Sequence, residues 1–228
     1  ATVTDEKPHY DVSDVWSDAY FTSPAIQASL DNFWDNTDAV DRVGLQDHFA
    51  AVWGNVVRRY ANHPAVIGYD LFNEPMPGAI AGQAQVVMFT KGAELLVTSG
   101  LLDDYISKLP QGTDPVEALL HYWIAEEGRL HILDLLKDMD RYTTMLDAKE
   151  TFYQQFEKEQ LMPMYRQIAQ MIRKMDPQGF LFLESSMASN EGVRSEIKPL
   201  LNAQGVIDRN VVFAPHAYDP VTGTSKMK

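Results

Sequence analysis

Three short apolar segments constrain the fold of this chain most, because each is too short for an ordinary helix and each leads directly into polar residues. They occupy residues 66–72, 179–184 and 211–219. The first lies between Pro64 and Pro75, and its mainly apolar character is typical of a central strand that is covered on both faces. Helical patterns separate the three segments, so the sequence predicts an α/β fold with a parallel sheet.

The helical patterns differ in length and strength along the chain. Residues 24–34 and 45–60 repeat apolar side chains at three- and four-residue spacing, which predicts two amphipathic helices. Further helical patterns without a convincing strand between them fall at 84–97, 115–123 and 128–147. A long helix is then predicted over 149–175, with Pro163 as a kink or boundary, and a weak short helix over 192–201.

Polar side chains stand at the carboxyl ends of all three predicted strands. Asn73 and Glu74 follow the first strand, Glu184 ends the second, and His216 and Tyr218 lie at the end of the third. The carboxyl ends of parallel strands meet at the edge where such folds bind ligands, so we expect these side chains to converge. A glutamate on rigid backbone there suits acid–base chemistry, and the adjacent amide can hold a hydroxyl group. Taken alone, Asn-Glu-Pro fits equally well a loop without chemistry after a buried strand.

Composition and charge exclude several classes of function. The chain carries 32 acidic and 19 basic residues, and the resulting net charge of -13 repels nucleic acid. It has no cysteine, and its histidines lack metal-ligand spacing, so no metal or cofactor is expected. No segment approaches the roughly 18 consecutive apolar residues of a transmembrane helix.

The length of 228 residues suits a single domain over residues 1–228. The chain starts at Ala1 without an initiator methionine or an apolar leader, and it ends in a polar loop close behind the last predicted strand. We interpret it as a mature chain or as an excised piece of a longer one.

The segment 67–78, with the sequence IGYDLFNEPMPG, resembles the fourth-strand signature of glycoside hydrolase family 5. It is most similar to the endoglycoceramidase and glycosylceramidase branch of that family. Residues 20–34 resemble the segment before the third helix, and residues 212–219 resemble the sixth strand. The resemblance implies a (β/α)8 TIM barrel of which this chain holds the central part, about strands 4 to 6, incomplete at both ends. Residues 95–150 have no counterpart and are interpreted as a helical insertion.

The resemblance also implies roles for individual residues. Glu74 is expected to be the general acid/base of a retaining glycosidase, and Asn73 the amide that holds a sugar hydroxyl beside the reacting carbon. His216 and Tyr218 are expected to form hydrogen bonds in the active site, and Glu184 to bind or support the substrate.

A retaining mechanism needs a second carboxylate as nucleophile. In the family this glutamate follows the strand that carries His216 and Tyr218, and the 228 residues contain no match to it. Glu184 is the other glutamate at a strand end and therefore a candidate nucleophile, with a loop-paired structural glutamate as the alternative. Asp70 is interpreted as a structural acceptor inside the barrel.

The resemblance implies cleavage of a β-glycosidic bond, with a glycolipid such as a glycosylceramide as substrate and transient contact with a lipid or micelle surface. It also favours a secreted or extracytoplasmic protein. Two alternatives remain open: a family 5 polysaccharide hydrolase similar to endoglucanases, and a sugar-binding relative without turnover. Trp16 is a candidate for a substrate-binding loop, whereas Trp34 and Trp53 fall on apolar helix faces and are predicted to lie in the core.

Overall fold

The computed structural model describes residues 18–100, 103, 107, 111, 112, 118, 122, 125–202 and 204–218. The α-helices with defined bounds are α1 (Asp18–Thr22), α2 (Pro24–Trp34), α3 (Leu45–Tyr60), α4 (Ala79–Ser99), α5 (Glu126–Leu135), α6 (Met139–Phe156) and α7 (Met162–Arg173). A π-helical turn (Glu157–Leu161) joins α6 to α7, and a 3-10 helix covers Met187–Glu191. The strands are β1 (Gly68–Asp70), β2 (Phe180–Leu183) and β3 (Val211–Phe213).

The three strands form a parallel sheet in the order β1-β2-β3. Tyr69 of β1 lies opposite Leu181 of β2, and Phe182 of β2 lies opposite Val212 of β3. The predicted α/β fold with a parallel sheet is therefore confirmed for the described residues. The sheet is small, since each strand is shorter than the apolar segment that predicted it. Most of the described structure is helical.

The first strand does not take the predicted central position. In the described part of the chain, β2 is the middle strand and β1 lies at an edge. Ile67, just before β1, is 69% exposed, whereas Leu181 and Leu183 of β2 are fully buried. Within the described residues, the segment 66–72 is therefore not covered on both faces, because β1 has a neighbouring strand on one side only.

The main core lies between the sheet and helices α3 and α7. Ile168 and Ile172 of α7 are fully buried and belong to one cluster with Val57 of α3 and Leu181 of β2. Burying an aliphatic side chain of this kind contributes about 1.5–3 kcal/mol relative to leaving it exposed. Methionine side chains of α7 also pack into this core, and Met164 has no exposed surface.

A second core cluster joins α4 to α6. Ala81 and Ala84 of α4 pack with Leu146 and Tyr153 of α6, and Met76 completes the cluster. Its small side chains let the two helices approach closely. This cluster fixes α4, which begins directly after the Asn-Glu-Pro segment, against the rest of the molecule.

Most helical predictions are confirmed, with changed bounds in the middle of the chain. Residues 24–34 and 45–60 form α2 and α3 as predicted, and the pattern at 84–97 belongs to the longer α4. The pattern at 128–147 divides into α5 and α6, because the Asp138 carboxylate caps the start of α6 by accepting hydrogen bonds from two backbone amides. The pattern at 115–123 lies largely outside the described residues.

Two predictions for the second half of the chain have different outcomes. Pro163 lies at a helix boundary as predicted, one residue into α7, where the π-helical turn ends. The short helix predicted over 192–201 is wrong. Ser195 and the backbone amide of Glu196 instead donate hydrogen bonds to the buried carboxylate of Glu157, which holds this segment in a non-helical conformation.

The tryptophans separate into described and undescribed positions. Trp34 is 4% exposed and Trp53 packs against the same cluster, so their assignment to the core is confirmed. Trp16 lies outside the described residues. Among the described residues, no helix is long and apolar enough to span a membrane, and no group of three or more His, Asp or Glu side chains could hold a metal ion.

Candidate active site

Glu74 follows β1 in a backbone conformation that glutamate rarely adopts. Its φ angle is 47°, in the left-handed region. Two indole groups hold the chain on either side of it: Trp53 Nε1 donates to the carbonyl of Leu71 at 3.2 Å, and Trp34 Nε1 donates to the carbonyl of Met76 at 2.8 Å. The core tryptophans thereby fix the position of the segment that carries Glu74.

Glu184 follows β2 and reaches across to Glu74. Its Oε2 accepts a hydrogen bond from the backbone amide of Glu74 at 2.7 Å. The Tyr165 hydroxyl, on α7, donates to the backbone carbonyl of Glu184 at 2.9 Å. Because Glu184 is only 1% exposed, its carboxylate depends on protein partners such as the Glu74 amide rather than on water.

His216, after β3, lies between the two glutamates. Its Nδ1 is 2.8 Å from Oε1 of Glu74, and its Nε2 is 3.2 Å from Oε1 of Glu184. A neutral imidazole has only one N–H, whereas the imidazolium can donate to both carboxylates. The geometry therefore favours the charged form of His216.

Two further donors converge on the same oxygen of Glu74. The Tyr218 hydroxyl donates to Oε1 of Glu74, and the Asn190 side-chain amide donates to it at 3.3 Å. The backbone amide of Tyr218 also donates to the carbonyl of Asn190 at 2.8 Å, which ties the segment after β3 to the 3-10 helix. The Glu74 side chain is 15% exposed, so a molecule at the sheet edge can still reach it.

The close carboxyl groups change the proton affinities in the cluster. Burial raises the pKa of Glu184 above its usual range and the nearby Asp70 carboxyl adds to the rise, although the hydrogen bond from the Glu74 amide opposes it. Desolvation likewise raises the pKa of Asp70, which lies within hydrogen-bonding reach of Glu184. The hydrogen bond to Glu74 raises the pKa of His216 and raises the pKa of Tyr218 to about 12.

The structure brings together four of the five residues that the sequence singled out. Glu74, Glu184, His216 and Tyr218 share direct contacts at the carboxyl edge of the sheet. Asn73 is exposed and precedes Glu74 at the same edge. It does not belong to the hydrogen-bonded cluster.

Sequence reasoning missed Asn190, which donates to Glu74 from the 3-10 helix after β2. No local signal identifies it, because an asparagine seven residues beyond a strand end has no characteristic spacing. Only the return of the chain after β3 brings Tyr218 beside Asn190 and makes both part of one site.

The arrangement keeps a partly accessible carboxyl group in a fixed orientation. Three donors fix one oxygen of Glu74, and the backbone amide of the same residue is fixed by Glu184. Such a group can donate a proton to a bound molecule and later accept one from water. The geometry therefore suits general acid–base catalysis.

Parts of the chain are similar to proteins named endoglycoceramidase. The chain is 42% identical over 65 residues to endoglycoceramidase of Cyanea nozakii, a match that covers 28% of this chain and 12% of the relative. It is 35% identical over 60 residues to endoglycoceramidase I of Rhodococcus hoagii, covering 26% of this chain and 11% of the relative. The matched segments thus span about an eighth of the length of these curated relatives. No protein-family model matches the chain.

The structure is also similar to solved structures of endo-glycoceramidase II from Rhodococcus sp. The similarity to its ganglioside complex has a TM-score of 0.53 at 20% identity and covers 94% of this chain but 31% of that protein. Its complex with a cellobiose-like imidazole gives a TM-score of 0.51. At this level of identity the similarity concerns the fold alone. The chain therefore shares the fold of about a third of that larger protein.

Proposed function

We propose that this chain is part of a retaining glycoside hydrolase that cleaves a β-glycosidic bond, with a glycolipid such as a glycosylceramide as substrate. The observation that carries the proposal is the fixed carboxyl group of Glu74 at the strand end, held by His216, Tyr218 and Asn190. The names of the relatives over the matched segments support the choice of substrate.

In this proposal the parallel sheet is the central part of a (β/α)8 barrel, with β1, β2 and β3 as its strands 4 to 6. Two features support it: helices connect successive parallel strands, and the site lies at their carboxyl ends. The exposure of Ile67 beside β1 agrees with a further strand at that edge. The fold similarity to endo-glycoceramidase II supports the same architecture.

Glu74 would act twice in the reaction. It first donates its proton to the leaving oxygen while a second carboxylate attacks the anomeric carbon, which forms a covalent glycosyl-enzyme. It then accepts a proton from the water molecule that hydrolyses this intermediate. His216 and Tyr218 would orient Glu74 in both steps, and Asn73, exposed at the same edge, would hold a sugar hydroxyl.

The attacking carboxylate has no motif match within the 228 residues. Glu184 is poorly suited to attack, because its side chain is 2% exposed and both of its oxygens contact protein groups. We therefore propose that the nucleophile belongs to a part of the protein outside this chain. In a retaining enzyme it would lie about 5–5.5 Å from the acid/base carboxyl group.

The test is the substitution Glu74→Gln in the full-length gene product. Turnover of a glycosylceramide should fall roughly 100- to 10,000-fold, because the leaving oxygen no longer receives a proton. Formation of the glycosyl-enzyme from an aryl β-glycoside with an activated leaving group should fall much less, because that group leaves without protonation. The measurements are initial rates on the two substrates.

Glu159→Gln serves as the matched control, because Glu159 is an exposed glutamate whose side chain accepts a hydrogen bond from the exposed Gln155 and lies outside the candidate site. It should leave both rates unchanged. Undiminished hydrolysis of glycosylceramide by the Glu74→Gln protein would contradict the acid/base role. Cleavage of a β-glucan but not of glycosylceramide by the unmodified protein would favour the polysaccharide alternative. Sugar binding without turnover would favour the non-catalytic one.

A further inference from the structure

The left-handed backbone of Glu74 needs a physical cause. Three non-glycine residues among those described have a positive φ: Asn36, Arg42 and Glu74. Asn36 and Arg42 belong to the surface turns that connect α2 to α3. Glu74 instead lies at the candidate site, where a side chain with a Cβ adopts the left-handed region only if its surroundings compensate for the steric cost.

The Glu184 carboxylate supplies a suitable compensation. Its Oε2 lies 2.7 Å from the backbone nitrogen of Glu74, a short hydrogen bond to an ionised acceptor. Glu184 is itself anchored, since it is buried and its carbonyl accepts the hydrogen bond from Tyr165. The acceptor is thus fixed to the sheet and to α7, and the Glu74 amide must point toward it.

The side chain of Glu74 is connected to the same anchor. His216 bridges Oε1 of Glu74 and Oε1 of Glu184, at 2.8 Å and 3.2 Å. Glu184 therefore acts on Glu74 in two ways, directly through the backbone amide and indirectly through the imidazole. The titratable groups that face Glu184 are Asp70 on β1, Glu74, His216, and Tyr165 on α7.

We infer that Glu184 is a positioning residue: it holds the main chain of Glu74 in the left-handed conformation and, through His216, orients the Glu74 carboxyl group. This role deepens the proposed function and, as far as catalysis is concerned, rests on it. It differs from direct contact with the sugar and from nucleophilic attack, because either would require a carboxylate oxygen that is now bonded to Glu74 or His216 to be released.

The first test uses the 228-residue chain and needs no activity. In the unmodified chain, the Glu74 amide proton should be protected from hydrogen exchange, and its NMR shift should follow the ionisation of Glu184 as the pH is varied. Glu184→Ala should increase the exchange rate of this amide roughly 10- to 100-fold, the loss expected for a hydrogen bond to a charged group. Glu184→Gln, which keeps an acceptor oxygen, should retain part of the protection and abolish the pH response.

The same spectra contain the controls. Glu159→Gln should leave the Glu74 amide unchanged, and amides of α3 should keep their protection in every variant that is folded. Exchange of the Glu74 amide at the rate of an exposed loop in the unmodified chain would overturn the inference. Full protection of that amide in the Glu184→Ala chain would overturn it as well. If Glu184→Ala does not fold, the inference is tested by the Glu74 amide shift of the unmodified chain. A shift that does not follow the ionisation of Glu184 would overturn it.

The second test measures turnover in the full-length gene product. Glu184→Gln should lower kcat about tenfold or more with little change in KM, because the acid/base group is misplaced while the sugar contacts remain. Glu184→Asp should recover less than half of the kcat that Glu184→Gln loses, because the shorter aspartate side chain does not reach the Glu74 amide. A raised KM with unchanged kcat would point to a sugar contact instead. If the amide responds to Glu184 but no glycoside is cleaved, the positioning role stands and the proposed function fails.

Discussion

Glu157 and Glu184 are both 1% exposed, yet their hydrogen-bond partners differ in kind. Glu157 accepts hydrogen bonds from the backbone amide and the hydroxyl of Ser186 at 2.8 and 2.7 Å, from the Ser195 hydroxyl at 2.8 Å, and from the Glu196 amide. None of these donors changes charge near neutral pH. The Glu184 carboxylate accepts one backbone hydrogen bond and otherwise faces the ionisable side chains of His216, Asp70 and Glu74.

The difference indicates two uses of a buried carboxylate. Glu157 projects from the π-helical turn and joins it to two separate segments after β2, so it fixes loops with neutral donors. Glu184 lies two residues before Ser186 and is connected to the candidate catalytic group through the Glu74 amide and through His216. A buried glutamate surrounded by fixed N–H and O–H donors is structural, whereas one surrounded by titratable groups responds to pH and to ligands.

The largest effect is expected for Glu157→Ala. It leaves two hydroxyl and two backbone N–H donors without their acceptor, and the two donors of Ser186 are fully buried, so the free energy of unfolding should fall by roughly 3–5 kcal/mol. Urea denaturation of the 228-residue chain at constant pH measures this loss. A loss of unfolding free energy below about 1 kcal/mol would contradict the structural role of Glu157.

A smaller effect, but one that depends on pH, is expected for Glu184→Gln. Burial raises the pKa of Glu184 above its ordinary 4.5, so its stabilising contribution is complete below pH 4.5 and is lost as the pH rises through the folded-state pKa. The substitution should remove this decline and change stability at neutral pH by less than about 1 kcal/mol. Denaturation curves from acidic to neutral pH measure it, with Glu157→Gln as the buried control. If the stability of the Glu184→Gln chain declined with pH as much as that of the Glu157→Gln chain, the assignment of this decline to Glu184 would be contradicted.

The smallest effect is expected for His216→Asn. The hydrogen bond to Glu74 raises the pKa of His216 above its ordinary 6.5, so the stabilisation is complete below pH 6.5 and is lost as the pH rises through the folded-state pKa. His216 is 39% exposed in its side chain, so solvent screening limits the effect to less than about 1 kcal/mol. The variant should show a flatter dependence of stability on pH above 6.5. An unchanged slope would mean that His216 does not couple to Glu74 in the folded chain.

The fold was predictable where local patterns are strong. Helices α2 and α3 have the predicted bounds, because apolar side chains at helical spacing are a local property of the sequence. Strand positions were predictable but strand lengths were not, since these depend on pairing between segments that lie 112 residues apart for β1 and β2 and 30 residues apart for β2 and β3. The failed helix at 192–201 has the same origin: the buried carboxylate of Glu157, remote in sequence, binds Ser195.

The membership of the site was also largely predictable, because polar residues that end parallel strands must meet at one edge of the sheet. Glu74, Glu184, His216 and Tyr218 were all identified in this way. Asn190 was not, because it reaches Glu74 from a 3-10 helix that no sequence pattern marks.

Three features could be predicted from the sequence: the alternation of helices and strands, the parallel sheet, and the set of polar groups at its carboxyl edge. These follow from periodicity and chain order, which are local properties. Three others are visible only in the tertiary structure: Glu184 holds the backbone of Glu74, His216 lies between the two glutamates, and Glu157 is bound by neutral donors instead. The reason is physical: a carboxylate takes its role from the donors within about 3 Å of it, and packing brings those donors from distant parts of the chain.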